Sequence, residues 1–577
     1  MRVLLVYPYC MEERKTDDDV RAVPIGLWYV AAVLRERGHH VEVLNAFDYR
    51  GEPERFAGVV NGWRPDLVGF SVLNANRWGA LDMAHVAKEA NPDLPVVFGG
   101  PGATFLWEHF LTHFPEVDYV VLGEAENAMA DLAAGIAAGS VAPDSPNVAM
   151  RRDGVPVSNP CLPDVRDLDS LPDPALHFTF RHVALSRGCP SACTFCGSPR
   201  FWRRRVRRHS PGYFVNQLKT LAEKGVRHFH VSDDTFTLDR DAVLEVCDGI
   251  LSEGLDITWC AISRVDRVDD GVIRAMRRAG CIQISYGVEH GDPDMRRFLG
   301  KRQTDEDIEK AFAATASHGV LPRAYFIYGC PGENEQSVGA TIRLMHRIRP
   351  LSTVFYMLDL FPGTALYDQY RRRENVSDDI WFDRREDIAW CETDPDLPCE
   401  RVVEIGERLR REFARHLPGY VDALVLVDDP GLYPLHADFL SRLAMTFDHG
   451  DYAANPDVSD PGAVAENLYE RALAWHPVAR AYLGMGVRRQ RQGRHEESVE
   501  ILDRGLREFP DDEALNVCMG VALLNTGKPG PALDHLSRFP ENPDAVRFAM
   551  HAHEALGEVE KARECRVKLD RLTGRIG

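Results

Sequence analysis

Three cysteines fall within eight residues of the stretch ALSRGCPSACTFCGSPRFW, residues 184–202: Cys189, Cys193 and Cys196, spaced C-x3-C-x2-C, with no fourth cysteine nearby. Structural zinc sites close with four ligands. Three thiolates on one short loop suit a four-iron cluster instead, one of whose irons then has no protein ligand. An open coordination position is what lets a metal site do chemistry rather than hold a fold together. The competing reading is a three-thiolate zinc knuckle.

The elements around this loop are those that place reactive groups at one end of a sheet. Strand-like runs HVALS, HFHVSD, TWCAIS, IQISYGVE, RAYFIYG and STVFYMLDL alternate with amphipathic helical stretches between residues 181 and 365. Six such strands predict a partial β/α barrel, with the cysteine loop leaving its first strand at the catalytic end. Residues 1–145 alternate in the same way through RVLLVYP, HVEVLNA, LVGFSVL, LPVVFGG and DYVVLGE, which predicts a parallel, doubly wound α/β sheet. Such sheets bind ligands beyond the carboxyl ends of their strands. Residues 146–180, with DSLPDPALHF, read as a linker.

The triplet, with Phe195 just before its last cysteine and a barrel pattern behind it, resembles the signature of the radical S-adenosylmethionine (SAM) superfamily. The resemblance implies a [4Fe-4S] cluster on Cys189, Cys193 and Cys196, whose free iron chelates SAM, with Phe195 near the adenine. Reductive cleavage of SAM then yields a 5′-deoxyadenosyl radical. Later positions match family motifs in order. In HVSDDTF, Asp233 and Asp234 are implied to receive the methionine amino group, and in AISRVD, Arg264 the methionine carboxylate. In ISYGVEHGDP, Glu289 is implied to contact the ribose, with His290 where many relatives have serine. In YFIYGCPGE, Gly329 is implied to let the backbone approach the adenine. No catalytic acid or base is legible.

The first sheet carries no G-x-G-x-x-G after its first strand. It carries SVL, with Ser71 and Leu73, and then Gly99 and Gly100, a pair similar to the S-x-L and G-G motifs of cobalamin-binding (B12-binding) domains. The D-x-H-x-x-G motif of those domains is absent. RAVPIG stands in its place, with Arg21 for the aspartate and Val23 for the cobalt-ligating histidine. The resemblance therefore implies cobalamin without a histidine on its lower face; Arg77 or Asn74 is the nearest candidate to approach it. A vestigial sheet without cobalamin is the alternative.

Together the two resemblances imply a class B type methyltransferase that methylates an unactivated carbon through methylcobalamin. A cyclase or ring-rearrangement enzyme without net methyl transfer is the alternative, and a non-enzymatic cobalamin sensor or scaffold a third reading. A methylthiotransferase needs a second cysteine triplet upstream, and the first 160 residues hold Cys10 alone.

Behind the barrel, residues 366–460 read as a mixed, mostly helical extension. In it, Ile405, Leu409, Phe413 and Leu417 mark one helix face. From 461 to 577 the pattern is helical and repeats every 34 residues: Gly486 and Gly520, Gly493 and Gly527, Ser498 and Ala532, Leu502 and Leu536. That period resembles the tetratricopeptide repeat, which presents a surface to a protein partner; a helical cap on the barrel is the alternative.

The 577 residues carry a net charge of −20, which weighs against nucleic-acid or anionic-membrane binding. No apolar run approaches the ~18 residues of a membrane helix, and the N-terminus has no secretory signal, so a cytoplasmic location is expected. The expected partners are a small-molecule or carrier-bound substrate and an electron donor such as flavodoxin or ferredoxin. Six arginines between 200 and 208 read as a solvated run or as a carboxylate- or phosphate-binding mouth. Cys391 and Cys399 are the nearest approach to a second cysteine pair.

Overall fold

RVLLVY, apolar on both faces, forms β1 (Arg2–Tyr7), an interior strand next to the edge of a seven-stranded sheet. The other strands are β2 (His40–Asn45), β3 (Leu67–Ser71), β4 (Val96–Gly99), β5 (Tyr119–Val121), β6 (Val148–Arg152) and β7 (Val155–Ser158), in the order β2-β1-β3-β4-β5-β6-β7. The first five pair in parallel, as their buried, Val- and Leu-rich sequences require. β6 and β7 come from the stretch read as a linker. They join the sheet as an antiparallel hairpin, because NVAMRR and VPVS alternate around the Asp153-Gly154 turn, both of whose residues have positive φ. The computed structural model describes residues 1–12, 21–139, 145–161 and 164–574.

The second sheet contains β8 (His182–Val183), β11 (His228–Val231), β12 (Thr258–Ser263), β13 (Cys281–Glu289), β14 (Leu321–Tyr328) and β15 (Ser352–Met357) in sequential order. Between β8 and β11, the short β9 (Ser186–Arg187) and β10 (Arg207–Arg208) pair antiparallel and close the base of the cysteine loop. The six sequential strands are those expected of a partial barrel. Both sheets belong to one compact unit, residues 1–314 and 322–410. One apolar core serves both, with Val68, Phe70 and Phe98 of the first sheet joined by Leu299, Ile327, Leu358 and Leu366 from the barrel side.

In the second unit, residues 315–321 and 411–577, every described element from 411 onward is a helix. The unit's 34-residue period has a steric cause. A Cβ on Gly486 would lie 2.7 Å from the Leu502 side chain, and one on Gly520 would lie 2.5 Å from Leu536. The same glycine therefore admits the same leucine one period on. Gly493 and Gly527 both end their helices at φ +74°. The extension helix Cys399–Asp422 buries Ile405, Leu409, Phe413 and Leu417, as its spacing predicts.

Cys391 and Cys399 are joined as a disulfide with Cα atoms 5.1 Å apart, so this pair is a covalent cross-link, not a metal site.

Candidate active site

The cysteine loop hangs from β9 and is fixed at three points by backbone. Gly188 opens it at φ +98°, where a Cβ would lie 2.0 Å from the Arg205 carbonyl oxygen. Only glycine fits there. On the far side, Thr194 donates its amide to the Leu299 carbonyl and its hydroxyl to that of Phe298. The Thr194 carbonyl in turn accepts the Leu366 amide. Gly300, at φ +76°, lets the helix end after Pro293–Phe298 abut Ala192. All three cysteines are free thiols and half-buried. Burial pushes Cys193 up, and Cys196 up to about 12, so without a metal these two are neutral thiols. A cation that stabilises thiolates reverses that preference, and this donor set fits an iron–sulfur cluster.

The strand ends around the loop carry the residues singled out from sequence. Asp234 is exposed to the cavity beside the loop and accepts a 2.7 Å hydrogen bond from Ser198. Enclosure by protein raises its carboxyl pKa. Arg264 forks onto both Asp266 oxygens at 2.9 Å and donates to Ser191 of the loop at 2.9 Å. Glu289, at φ +65°, makes a 2.7 Å ion pair with Lys301, both side chains buried. Phe195 is partly buried against the core shared by the two sheets.

Two residues differ from what the family motifs imply. Asp233 does not face the cavity: it is 1% exposed and its carboxylate accepts the Leu185 amide at 2.8 Å, the Ser186 amide at 2.7 Å and the Ser186 hydroxyl. Alternation along the chain turns neighbouring side chains to opposite sides, and only Asp234 is left facing outward. Burial pushes Asp233 up to about 7 despite those three donors. Gly329 is required for packing: it sits at φ +79°, and a Cβ would lie 2.8 Å from Val402. The space beside it is filled by the extension helix.

A contact invisible in the sequence ties two of these turns together. His290 bonds Glu333 at 2.9 Å, and Glu333 also accepts the Gly329 and Cys330 amides, all deeply buried. Glu333 lies inside the quoted CPGE motif, but only the fold brings it to the preceding strand's turn. Lys301 carried no sequence signal. Cys330 is wholly buried, which raises its thiol pKa well above the usual range and makes it a core residue.

Next to the loop, a cavity of about 300 Å³ opens over the carboxyl ends of β1, β3, β4 and β5. This is the switch point of the first sheet, where the strand order reverses. Its floor includes Leu5, Gly69, Ser71, Leu73, Gly99 and Gly100, and its roof includes Gly188, Ser232 and Asp234 of the barrel. Gly100, at φ +94°, packs its Cα against the Val72 carbonyl, where a Cβ would come within 2.9 Å. Gly26 and Gly123 line the same cavity, and a Cβ on either meets no atom within 4 Å, so these glycines leave room for a guest. Arg187 locks the floor to the roof through Glu124 at 2.8 Å and Glu126 at 2.7 Å, and Arg207 adds Glu124 at 2.7 Å. Burial alone would raise Glu124, but the two guanidiniums outweigh it and hold its pKa below the usual carboxylate value.

His209 is the one imidazole among the described lining residues, and both its ring nitrogens are engaged, with Tyr29 and Asp169 at 3.0 Å. Arg77 and Asn74 do not approach the cavity either. Arg77 is buried and donates to the Asn74, Arg385 and Glu386 carbonyls, and Asn74 donates to Glu386. Most of the arginine run is similarly occupied: Arg200 pairs with Asp368, Arg204 bonds the Pro190 carbonyl and Arg208 pairs with Asp239.

Three free thiols on a loop at the mouth of a partial barrel, whose first glycine lines a cavity on a doubly wound sheet, define an enzyme that works an open iron–sulfur site beside a second bulky cofactor. Comparison with known proteins agrees. Residues 19–133 match the B12 binding domain and residues 183–345 the radical SAM superfamily. An uncharacterized methyltransferase of Pyrococcus horikoshii is 30% identical over 380 residues, which cover 64% of this chain and 83% of that one. An anaerobic magnesium-protoporphyrin IX monomethyl ester cyclase of Rubrivivax gelatinosus is 25% identical, over 62% of this chain and 67% of that one. The structure of a radical SAM methyltransferase, TsrM of Kitasatospora setae, solved with cobalamin and a [4Fe-4S] cluster, shares the fold. It aligns with a TM-score of 0.56 and 20% identity over 64% of this chain and 75% of that one. The chain belongs to the radical SAM enzymes that carry a B12-binding domain, and its cofactors are a [4Fe-4S] cluster, SAM and cobalamin. No described helix is long and apolar enough to cross a membrane.

Proposed function

We propose that the chain is a cobalamin-dependent radical SAM methyltransferase acting on an unactivated carbon. The observation that carries this reading is the shared cavity, whose floor is the cobalamin-type sheet and whose roof holds Asp234 and Gly188 beside the thiol loop. When bound, the cluster supplies the electron that cleaves SAM and cobalamin carries the methyl group. Cys189, Cys193 and Cys196 hold the cluster. The outward Asp234 carboxylate suits the methionine ammonium, and the Arg264 guanidinium, already reaching Ser191 on the loop, suits the methionine carboxylate. Glu289, held by Lys301, presents a carboxylate to ribose hydroxyls, and Phe195 lies on the adenine side. Asp233 serves by positioning the start of the loop. Ser71, Leu73, Gly99 and Gly100 take the cobalamin nucleotide tail. Among the described lining residues the one imidazole, His209, is held by Tyr29 and Asp169, so the cavity would offer a bound cobalamin no free histidine.

The proposed domains run over 1–145, 181–365, 366–460 and 461–577, with the hairpin of β6 and β7 attached to the first. The helix pairs of the last are tetratricopeptide-like and recruit a protein partner or carrier-bound substrate. An electron donor such as flavodoxin or ferredoxin supplies electrons, and the enzyme works in the cytoplasm. The cyclase relative supports a second reading, ring closure without net methyl transfer. The test is anaerobic reconstitution with iron, sulfide and cobalamin, followed by SAM and a strong reductant. 5′-Deoxyadenosine together with S-adenosylhomocysteine, both lost in Cys193→Ala, supports the methylase. 5′-Deoxyadenosine alone supports the rearrangement, and neither product contradicts both.

A further inference from the structure

Away from the thiol loop, the short helix Trp107–His113 places two histidines, His109 and His113, four residues apart on one face. Their rings lie 5.1 Å apart. Asp379, from the 3-10 turn Asp378–Phe382 on the far side of the barrel sequence, reaches them, with its carboxylate 3.2 Å from His113 Nε2. One ligand atom from each of the three lies within 4.8 Å of the other two. Phe382 packs on both imidazoles, at 4.2 and 5.1 Å between centroids, and Phe114 backs His109 at 5.6 Å, so the cluster has apolar walls.

One nitrogen in this cluster is unexplained. His109 is 6% exposed, and its Nδ1 is buried with no hydrogen-bond partner among the described residues. A buried polar atom left unpaired carries a desolvation cost that native structures rarely leave uncompensated, and an absent ion is one standard resolution.

The chemistry of the donors selects the guest. Two imidazoles and one carboxylate suit a borderline divalent transition metal, whereas calcium and magnesium take oxygen ligands. Tetrahedral zinc with ligands at about 2.0–2.1 Å holds its donors roughly 3.4 Å apart, so binding draws the three donors in from their spacing of up to 4.8 Å.

We propose that His109, His113 and Asp379 form a zinc-class metal site, distinct from the cluster and cobalamin sites, with water as the fourth ligand. Its place in the fold gives it a task. The segment 379–387 lies as a strap along the helix Arg77–Ala90 of the cobalamin-type domain. Arg77 and Trp78 donate to the Arg385 carbonyl, and Arg384 forks onto Asp82. Every one of these fastenings lies at the strap's downstream end; a metal on Asp379 fastens the upstream end to the same domain. The site is a clamp between the cobalamin-type domain and the segment that follows the barrel.

The test uses the full reconstituted chain, so that iron already fills the thiol loop, stripped of loose metal and then titrated with zinc ions. Elemental analysis after desalting is expected to find one zinc per chain in the wild type and none in His113→Ala or Asp379→Asn, with iron content unchanged as the check on folding. Thermal unfolding is expected to shift upward with zinc in the wild type alone. Should His113→Ala lose iron, the measurement passes to Co(II) added to the Cys189→Ala, Cys193→Ala, Cys196→Ala triple variant. There, tetrahedral visible bands that disappear on adding His113→Gln support the site. Equal zinc retention in wild type, His113→Ala and Asp379→Asn, or cobalt bands insensitive to His113→Gln, overturns it.

Discussion

Replacing Asp233 and Asp234 in turn separates the residue that builds the thiol loop from the one that faces the cavity. Asp233→Ala strands the buried Leu185 amide, the Ser186 amide and the Ser186 hydroxyl at once. A buried donor left unpaired costs about 1–3 kcal/mol, so three cost at most roughly 3–9 kcal/mol, and the part-buried Ser186 donors fall at the low end because water reaches them. Part of this is recovered, because the variant no longer buries a carboxyl whose pKa is already pushed up to about 7. The net expectation is a local loss of about 2–4 kcal/mol, which opens the loop base about 30- to 700-fold more often. Asp234→Ala loses the bonds from Ser198 and the Gly188 backbone at an exposed position where water replaces them, and costs about 1 kcal/mol. Hydrogen–deuterium exchange of the peptide covering 184–188 reads the first effect, and SAM cleavage by the reconstituted enzyme reads the second. Asp233→Ala is expected to accelerate exchange and to lower iron content. Asp234→Ala is expected to keep both and lose SAM cleavage. Unchanged exchange in Asp233→Ala, or equal acceleration in the two variants, refutes the assignment.

Gly188→Ala places a methyl group 2.0 Å from a backbone oxygen at φ +98°, so iron retention is expected to fall at least tenfold by elemental analysis while far-UV circular dichroism stays unchanged. Gly100→Val fills the cavity floor at φ +94°, and absorbance titration is expected to show cobalamin affinity reduced by tenfold or more with iron content retained. Glu124 has a folded pKa below its unfolded value, so its stabilising contribution is full above about pH 4.5 and is lost as pH falls through the folded value. Glu124→Gln is therefore expected to lower stability at pH 7, and the gap to wild type in thermal scans is expected to narrow below pH 4. Gly520→Val in the second unit drives a side chain into Leu536, which should raise exchange in residues 513–536 by one to two orders of magnitude and leave SAM cleavage intact.

The parts of the fold written as local periodicity were legible in the sequence. Alternation of strand and helix gave the five parallel strands and the six of the barrel, and the 34-residue period has its cause in Gly486 and Gly520 admitting Leu502 and Leu536. The thiol triplet was legible because its ligands sit on one loop. What depended on the turn of a single residue was not. Two adjacent aspartates look alike in HVSDDTF, and only the strand geometry decides that Asp233 points inward. Pairings between distant segments were equally hidden: Glu289 with Lys301, His290 with Glu333, and Arg77 with the carbonyls of residues 385 and 386. The β6–β7 hairpin was missed because its strands are short and the stretch was read by its prolines.

The central claim is that cleavage of SAM at the thiol loop and methyl transfer through cobalamin share one active site. The most direct measurement counts 5′-deoxyadenosine and S-adenosylhomocysteine from the iron-loaded chain, under strong reductant, with cobalamin present and with it withheld. The account predicts 5′-deoxyadenosine in both cases and S-adenosylhomocysteine only when cobalamin is bound. S-adenosylhomocysteine formed equally without cobalamin, or SAM recovered intact from protein holding both cofactors, would contradict it.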